Sequence, residues 1–416
     1  MPDEPAMPHD AATPHDAATP HEPARPDEPA RPDEPAAAVE QEDTTTSIKQ
    51  LASHARVLSV DALRGFDMFW IVGADHFARA LGKISTSPTA QVFATQLKHV
   101  GWEGFRFYDL IFPLFVFMLG MSVVFSLPKY VAEKGKGAAY VRLFRRFILI
   151  FLLGALYDSG ISDMAHESPF SGVLQRMAWC YLGASLIFMN FRWKTQVGIF
   201  VGILVGYWAM VCFLPHPDLG YAGTTFERGK NFVDWVDYKF LPFKEEGQYS
   251  ESEGLLSTIP AIATALLGVF AGFIIRDGRF SEWKRVGIFI LGGAVMVGLG
   301  YLWGLQFPII KKIWTSSYVL VAGGYSFILL GVFYCVVDVL KFKWWATPFI
   351  WIGANPLMIY LASEFIDFHN IAERITGGPV AERMGDYGEL WVTTVGILIV
   401  FLFARFLYHK KIFLRV

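Results

Sequence analysis

The chain has little of what secreted or soluble proteins use to fold. It contains only three cysteines among 416 residues, Cys180, Cys212 and Cys335. All three lie inside apolar runs, so they cannot form the disulfide framework of a small secreted domain, and we interpret them as small apolar side chains. Charged residues make up only 18% of the chain, whereas more than half of the residues are apolar and 13 are tryptophan. This balance predicts a protein with many membrane spans.

Residues 1–46 have almost no bulky apolar side chains and lack the apolar core of a signal peptide. Six-residue units rich in Pro, Ala, Asp and Glu repeat there, and they cannot bury enough surface to fold. His9, His15 and His21 recur with the same period. We interpret these histidines as a product of the repeat and predict no metal site. The sequence thus predicts a disordered cytoplasmic tail over residues 1–50 and a membrane domain over residues 51–416.

The net charge of −2 combines two opposed parts. Residues 1–50 carry twelve acids and three bases, a charge near −9, which leaves the remainder near +7. An excess of positive charge is typical of a membrane domain whose basic loops face the cytoplasm.

Ten apolar runs follow one another from residue 63 onward, separated by short polar breaks. Each is close to the ~20 residues that a helix needs to cross the hydrocarbon core of a bilayer. A spanning backbone must satisfy its own hydrogen bonds, so we expect helices. The fold class is therefore predicted to be an all-α, polytopic bundle of about ten transmembrane helices. The runs lie near residues 63–81, 107–127, 143–160, 172–190, 196–214, 255–275, 286–304, 318–338, 346–365 and 390–408.

Basic side chains concentrate in alternate breaks, and acidic side chains dominate the others. Ten spans place both termini on one side, which the positive-inside rule assigns to the cytoplasm. We therefore predict a multi-pass plasma (inner) membrane protein with both termini cytoplasmic. Residues 98–109 then lie at the non-cytoplasmic mouth, and the acidic, aromatic segment 215–254 is expected to fold over it.

His99 stands at the beginning of the second apolar run, and Asp109 follows ten residues later. Histidine ordinarily titrates near pH ~6.5, so it is suited to accept a proton in catalysis. A carboxylate such as Asp75 or Asp109 would orient the imidazole and stabilise its charged form. A structural histidine at the membrane interface is the alternative interpretation, and Trp102 is open to the same one as an anchor.

Further polar side chains lie where membrane helices begin or break, and such residues are functional candidates because they are costly there. The alternatives are an ion pair of Arg176 with Asp158 or Asp163, and a plain kink at Asn355 before Pro356. Several of these side chains are expected to converge on one pocket near the outer interface. The substrate-binding candidates are Arg176, Glu253, Ser257, Thr258 and Asn355.

Five motifs in sequence order resemble the heparan-α-glucosaminide N-acetyltransferase family and its bacterial relatives. Together they cover residues 56–365, nearly the whole membrane region. They are the run RVLSVDALRGFD at residues 56–67, the histidine loop with Lys98, His99, Trp102, Gly104 and residues 109–117, the sequence GVLQR at residues 172–176, the segment EGLLSTI at residues 253–259, and Asn355-Pro356-Leu357 with Tyr360.

The resemblance implies a transmembrane acyltransferase that takes an acetyl group from cytoplasmic acetyl-CoA and delivers it to the amine of an amino sugar on the other side. The active histidine of the family corresponds to His99, which would act as general base or carry the acetyl group transiently. The family's asparagine in the first helix corresponds to Asp75, and the asparagine of the histidine loop corresponds to Glu103. Oxyanion donors would come from Ser257, Thr258 or Asn355. Arg64 is the predicted contact for the coenzyme.

The partners implied are membrane lipid, acetyl-CoA and an amino sugar or glycan acceptor, with no metal and no nucleic acid. The outer faces of the runs give no clear dimer seam, and a homodimer stays open. Two alternative functions also stay open. One is a sugar or lipid-linked-sugar transporter, although the two halves show no convincing internal repeat. The other is a sugar-binding relative with altered catalysis, suggested by Asp75 and Glu103.

Overall fold

The chain folds as a bundle of α-helices. The computed structural model describes residues 57–84, 87–159, 171–218, 226–241 and 253–414, without the side chains of a few helical residues such as Asp75 and Glu364. All of these residues fall in one compact unit, Gln41–Val416. The predicted tail over residues 1–50 lies outside the described residues. In the described part no strand occurs, and an isolated β-bridge joins Glu103 to Ile310.

Fourteen α-helices follow one another through the described ranges. They are α1 (Leu58–Ile84), α2 (Pro88–Gln96), α3 (Phe107–Ser159), α4 (Val173–Asn190), α5 (Trp193–Phe213), α6 (Phe232–Phe240), α7 (Thr258–Arg276), α8 (Glu282–Gly304), α9 (Ser316–Phe333), α10 (Thr347–Gly353), α11 (Pro356–Phe365), α12 (Phe368–Thr376), α13 (Pro379–Arg383) and α14 (Gly388–His409). A π-helical turn, Tyr334–Val339, extends α9.

Six helical stretches among the described residues are long and apolar enough to cross a membrane. Four are α5, α7, α8 and α14 with the short turn before it, and the others are Phe107–Tyr157 of α3 and Ser316–Val339. Each of the ten predicted runs coincides with helix. The all-α membrane bundle is therefore confirmed, while the count of about ten spans stays a prediction. Helix α3 breaks at Gly135, where φ is +83°, so it forms two arms that match the runs at 107–127 and 143–160.

Small residues let the central helices approach closely. A Cβ atom at Gly120 of α3 would collide with the carbonyl oxygen of Ala265 in α7, and a Cβ at Gly268 of α7 would collide with that of Phe117. Such reciprocal contacts between small residues are a common way to pack helices in a membrane, where lipid offers no hydrophobic driving force. The crossing places α7 against the first arm of α3, which carries Asp109 in its first turn.

Candidate functional site

His99 and Asp109 form the centre of the site. His99 Nδ1 lies 2.7 Å from Asp109 Oδ1. The second carboxylate oxygen, Oδ2, accepts hydrogen bonds from the backbone N–H groups of Val100 and Arg106 at 3.3 and 3.1 Å. The Asp109 side chain is 2% exposed and that of His99 is 52% exposed. The buried carboxylate thus orients the imidazole through Nδ1, while the rest of the ring stays accessible to ligands.

The histidine loop is held in place by a side chain of its own and by hydrogen bonds to two distant segments. Arg106 donates from Nη1 to the carbonyl oxygen of His99 at 3.0 Å. Gly104, with φ +117°, donates from its N–H to the carbonyl oxygen of Ile309 at 2.8 Å. The indole of Trp102 donates to the carbonyl oxygen of Phe226 at 2.7 Å. Trp102 therefore connects this loop to the segment 226–241. This contact does not depend on the interpretation of Trp102 as an anchor at the membrane interface.

Lys311 completes the centre from a segment distant in sequence, the connection between α8 and α9. Its Nζ atom lies 3.3 Å from His99 Nδ1 and 3.9 Å from Asp109 Oδ1. Burial lowers the pKa of Lys311 to about 8, and the nearby carboxylates of Asp109 and Glu253 partly oppose this shift. The amine is therefore charged at neutral pH and sits within reach of both members of the pair.

Arg176 anchors a second cluster at the beginning of α4 and α7. Its Nη2 donates to Ser257 Oγ and to the carbonyl oxygen of Gly254. The hydroxyls of Ser257 and Thr258 donate to that same carbonyl oxygen at 3.1 and 3.0 Å. Arg176 is 1% exposed and its guanidinium lies over the ring of Trp314. Three of the predicted substrate-binding residues are therefore gathered together.

Asp237 of α6 supports this second cluster. Its Oδ1 accepts the N–H groups of Leu255 and Leu256 at 2.8 and 3.3 Å. Burial raises the pKa of Asp237 to about 7, although these two N–H groups and the charge of Arg176 act in the opposite direction. Gly254 leaves no room for a Cβ atom against this carboxylate. Asp237 therefore fixes the backbone that Arg176, Ser257 and Thr258 share.

Glu253 connects the two clusters electrostatically. Its carboxylate acts on Lys311, as the charge of Arg176 does. Tyr318 of α9 links them through side-chain contacts, since its hydroxyl donates to the backbone carbonyl of Asp109 at 2.8 Å and its ring packs against Trp314, over which Arg176 lies. The beginnings of α3, α4, α7 and α9 thus meet at one end of the bundle.

Asn355 and Arg64 lie in a different environment. Asn355 Nδ2 donates to the carbonyl oxygen of Ile412, and its Oδ1 accepts the N–H of Leu414, at 3.0 and 3.1 Å. Both polar atoms of the amide are thus used by the chain's own backbone. Arg64 donates to Ser122 Oγ at 2.9 Å and to the carbonyl oxygen of Gly353 at 3.4 Å. Asn355, two residues after Gly353, therefore neighbours the Arg64 region, and a substrate role for it stays a prediction.

Asp75 lies on α1, and its side chain is outside the described part. The predicted pairing of Asp75 with His99 therefore stays a prediction, as does the alternative pairing of Arg176 with Asp158 or Asp163. His76, the next residue on α1, stacks on His369 with ring centroids 4.2 Å apart. The described residues contain no group of three or more His, Cys, Asp or Glu side chains arranged to hold a metal ion.

Lys311, Asp237 and Tyr318 were not among the sequence candidates. One signal would have pointed to Lys311. The pair Lys311-Lys312 lies in a break that the predicted topology places on the acid-rich side, where lysines are least expected.

Two known proteins are similar to this chain, and both are named heparan-alpha-glucosaminide N-acetyltransferase. The human protein is 26% identical over 87% of this chain and 60% of its own length. The mouse protein is 26% identical over 77% of this chain and 56% of its own length. The chain thus spans under two thirds of the relatives it matches. No family model matches it. The similarity confirms the family resemblance: this chain is a relative of these proteins.

Proposed function

We propose that the protein is a transmembrane N-acetyltransferase that moves an acetyl group from acetyl-CoA to the amine of an amino sugar. The observation that carries this proposal is the His99–Asp109 pair, an exposed imidazole held through Nδ1 by a buried carboxylate at 2.7 Å. With the Nδ1 proton donated to Asp109, Nε2 is the free basic atom. The names of the human and mouse relatives support the same reaction class.

The proposed reaction needs one base and one donor of hydrogen bonds. The sugar amine attacks the thioester carbonyl and forms a C–N bond, while its proton passes to Nε2 of His99. The C–S bond then breaks, the carbonyl re-forms, and the thiolate takes the proton from His99 to leave as the thiol. The negative oxygen of the tetrahedral intermediate requires donors. Ser257 and Thr258 are candidates, although their hydroxyls donate to Gly254 when no substrate is bound.

The acceptor site is proposed to lie beside the second cluster. Glu253 would accept hydrogen bonds from the polar groups of the amino sugar, and Arg176 would hold the backbone and hydroxyls around it. Glu253 is partly exposed, whereas Arg176 is fully buried. A partly exposed carboxylate next to a buried, hydrogen-bonded cluster suits a polar ligand that enters from water.

The donor is proposed to bind at the other ends of the helices, facing the cytoplasm. Arg276 has buried Nε and Nη1 groups and Arg285 a buried Nε group with no hydrogen-bond partner among the described residues. Buried N–H groups without partners are costly, and phosphate oxygens of a coenzyme would satisfy them. Arg64 is the third candidate contact. The positive charge of these loops supports this orientation, with both termini cytoplasmic in the plasma (inner) membrane.

Acetyl transfer by purified protein tests the proposal. Protein in detergent is incubated with radiolabelled acetyl-CoA and a panel of amino sugars, and labelled sugar is counted. We expect N-acetylated product with wild-type protein and none with His99→Ala, and a cooperative thermal unfolding transition in detergent checks that the variant is folded. Undiminished turnover by His99→Ala would overturn the role of His99. Sugar flux into vesicles without acetyl-CoA consumption would instead support a transporter.

A further inference from the structure

We infer that Lys311 is a positioning residue, which opposes positive charge on the His99 imidazole while Asp109 orients the ring, so that Nε2 is available as a base. This inference rests on the proposed function. It assigns a task to a residue that contacts the reacting pair from the connection between α8 and α9.

The three groups share one small volume. Lys311 Nζ is 3.3 Å from His99 Nδ1 and 3.9 Å from Asp109 Oδ1, and that oxygen is itself 2.7 Å from His99 Nδ1. The Lys311 side chain is 20% exposed, so water screens its charge only in part. A cation at these distances interacts strongly with both partners.

Proton counting identifies the donor at each contact. An ammonium group only donates, and an ionised carboxylate only accepts. Asp109 Oδ2 also accepts two backbone N–H groups, so this carboxylate acts as an acceptor at each of these contacts. Nδ1 therefore donates its proton to Asp109, because the carboxylate has none to give. The ammonium then faces an N–H group and repels any further positive charge on the ring.

This repulsion opposes the usual effect of an aspartate. A lone carboxylate beside a histidine stabilises the imidazolium and leaves less of the free base near neutral pH. An ammonium at the same carboxylate cancels part of that attraction. The ring keeps its orientation from Asp109, while Lys311 limits the charge it gains.

The other charged groups around the pair do not replace Lys311. Arg106 directs Nη1 to the carbonyl oxygen of His99 rather than to the ring, and the uncharged ring of Tyr108 packs against the imidazole with centroids 4.5 Å apart. Glu253, Arg176 and Lys312 act on Lys311 through their charges. Burial lowers the pKa of Lys311 to about 8, so its charge is present throughout the range in which histidine titrates.

The test compares Lys311→Met and Lys311→Gln, which remove the charge, with Lys311→Arg, which keeps it. The matched control is Lys239→Met, an exposed lysine at the end of α6. The first readout is an NMR titration of isotope-labelled histidine without substrate, with the His99 signal identified by its loss in His99→Gln. An opposite or like charge a few ångströms away shifts titration by about 1–3 pH units, and partial exposure of the ring favours the lower end. We therefore expect the midpoint of the ring titration to move up by about one pH unit in Lys311→Met and Lys311→Gln, and to stay in place in Lys311→Arg and Lys239→Met.

The second readout is the pH dependence of kcat for acetyl transfer. The acidic limb should move up by the same amount in Lys311→Met, with about a tenfold loss of kcat well below the midpoint and recovery at pH 8. The inference would be overturned if the midpoint of the His99 titration stayed unchanged in both Lys311→Met and Lys311→Gln. It would also be overturned if Lys311→Arg moved that midpoint as far as the two neutral variants do. The NMR result is independent of turnover. Absence of acetyl transfer by wild-type protein would therefore refute the proposed function while the coupling of Lys311 to His99 is still measured.

Discussion

Replacing Asp109 by asparagine tests the His99–Asp109 pair with the smallest change of shape. Asp109 now accepts from His99 through Oδ1 and from the N–H groups of Val100 and Arg106 through Oδ2. Asparagine has one acceptor oxygen, and only with that oxygen at the place of Oδ2 are the two backbone N–H bonds kept. The amide NH₂ group then faces His99 Nδ1. That nitrogen must become an acceptor, so the ring proton moves to Nε2.

An imidazole protonated on Nε2 cannot take the proton of the attacking amine. A positioned general base contributes about 10²–10⁴-fold to a rate. The Asp109→Asn variant should lose that factor in kcat, which corresponds to about 3–5 kcal/mol of transition-state stabilisation. The KM for acetyl-CoA should change little, because the Asp109 side chain is 2% exposed and offers the donor almost no surface.

Steady-state acetyl transfer at saturating acetyl-CoA measures this effect, with thermal unfolding in detergent as the check on folding. Glu133→Gln is the matched control, since it makes the same carboxylate-to-amide change at an exposed pair with Lys129. It should keep wild-type kcat. The reasoning fails if folded Asp109→Asn turns over within about threefold of wild type, because the tautomer would then have no influence on catalysis.

Two further predictions concern the surroundings of the site. Burial raises the pKa of Asp237 from 3.8 to about 7, so the folded state holds a proton there that the unfolded state releases. Thermal stability in detergent should therefore fall as pH rises from about 4 to 7, by at most ~1.4 kcal/mol per pH unit. The Asp237→Asn variant should lose most of this dependence on pH. If stability falls equally with pH in the variant and in wild type, the assignment to Asp237 is wrong. Gly120→Leu should cost about 3 kcal/mol or more by forcing α3 away from α7, whereas Gly137→Leu, which meets open space, should unfold like wild type; equal melting curves for the two variants would contradict the close crossing.

The helical architecture could be predicted because it follows from the length and spacing of the apolar runs in the sequence. Runs of about 20 apolar residues must be helical in a bilayer, and each of the ten runs coincides with helix. The polar break at residues 128–142 predicts the change of direction, and the structure locates it at Gly135. Hydropathy alone does not determine the number of membrane spans where helices carry charged residues or are short. The helix α1 contains Asp61, Arg64 and Asp67, and Asn355-Pro356 separates α10 from α11.

Individual contacts of the site were predictable only where the residues are close in sequence. His99 and Asp109 share one motif, and the turn before α3 brings the ten-residue spacing to a 2.7 Å contact. Arg176 and Ser257 were both expected near the outer interface, but their direct hydrogen bond depends on how α4 packs against α7. Lys311 is 212 residues from His99. No periodicity connects positions at such a separation, because the contact is set by tertiary packing of separate helices.

The two ends of the first arm of α3 set a geometric requirement on the proposed reaction. Asp109 contacts His99 at one end, and Ser122, thirteen residues later, accepts a hydrogen bond from Arg64. At 1.5 Å per residue these positions lie about 20 Å apart along the helix. Phosphates bound beside Arg64 therefore cannot approach His99, and the thioester must reach it on the long pantetheine arm of the coenzyme. The helices between the two ends have to supply a path for that arm. Bulk added beside that path should weaken transfer at every pH without changing the protonation of His99, whereas loss of the Lys311 charge should change the protonation of His99 and weaken transfer only at low pH.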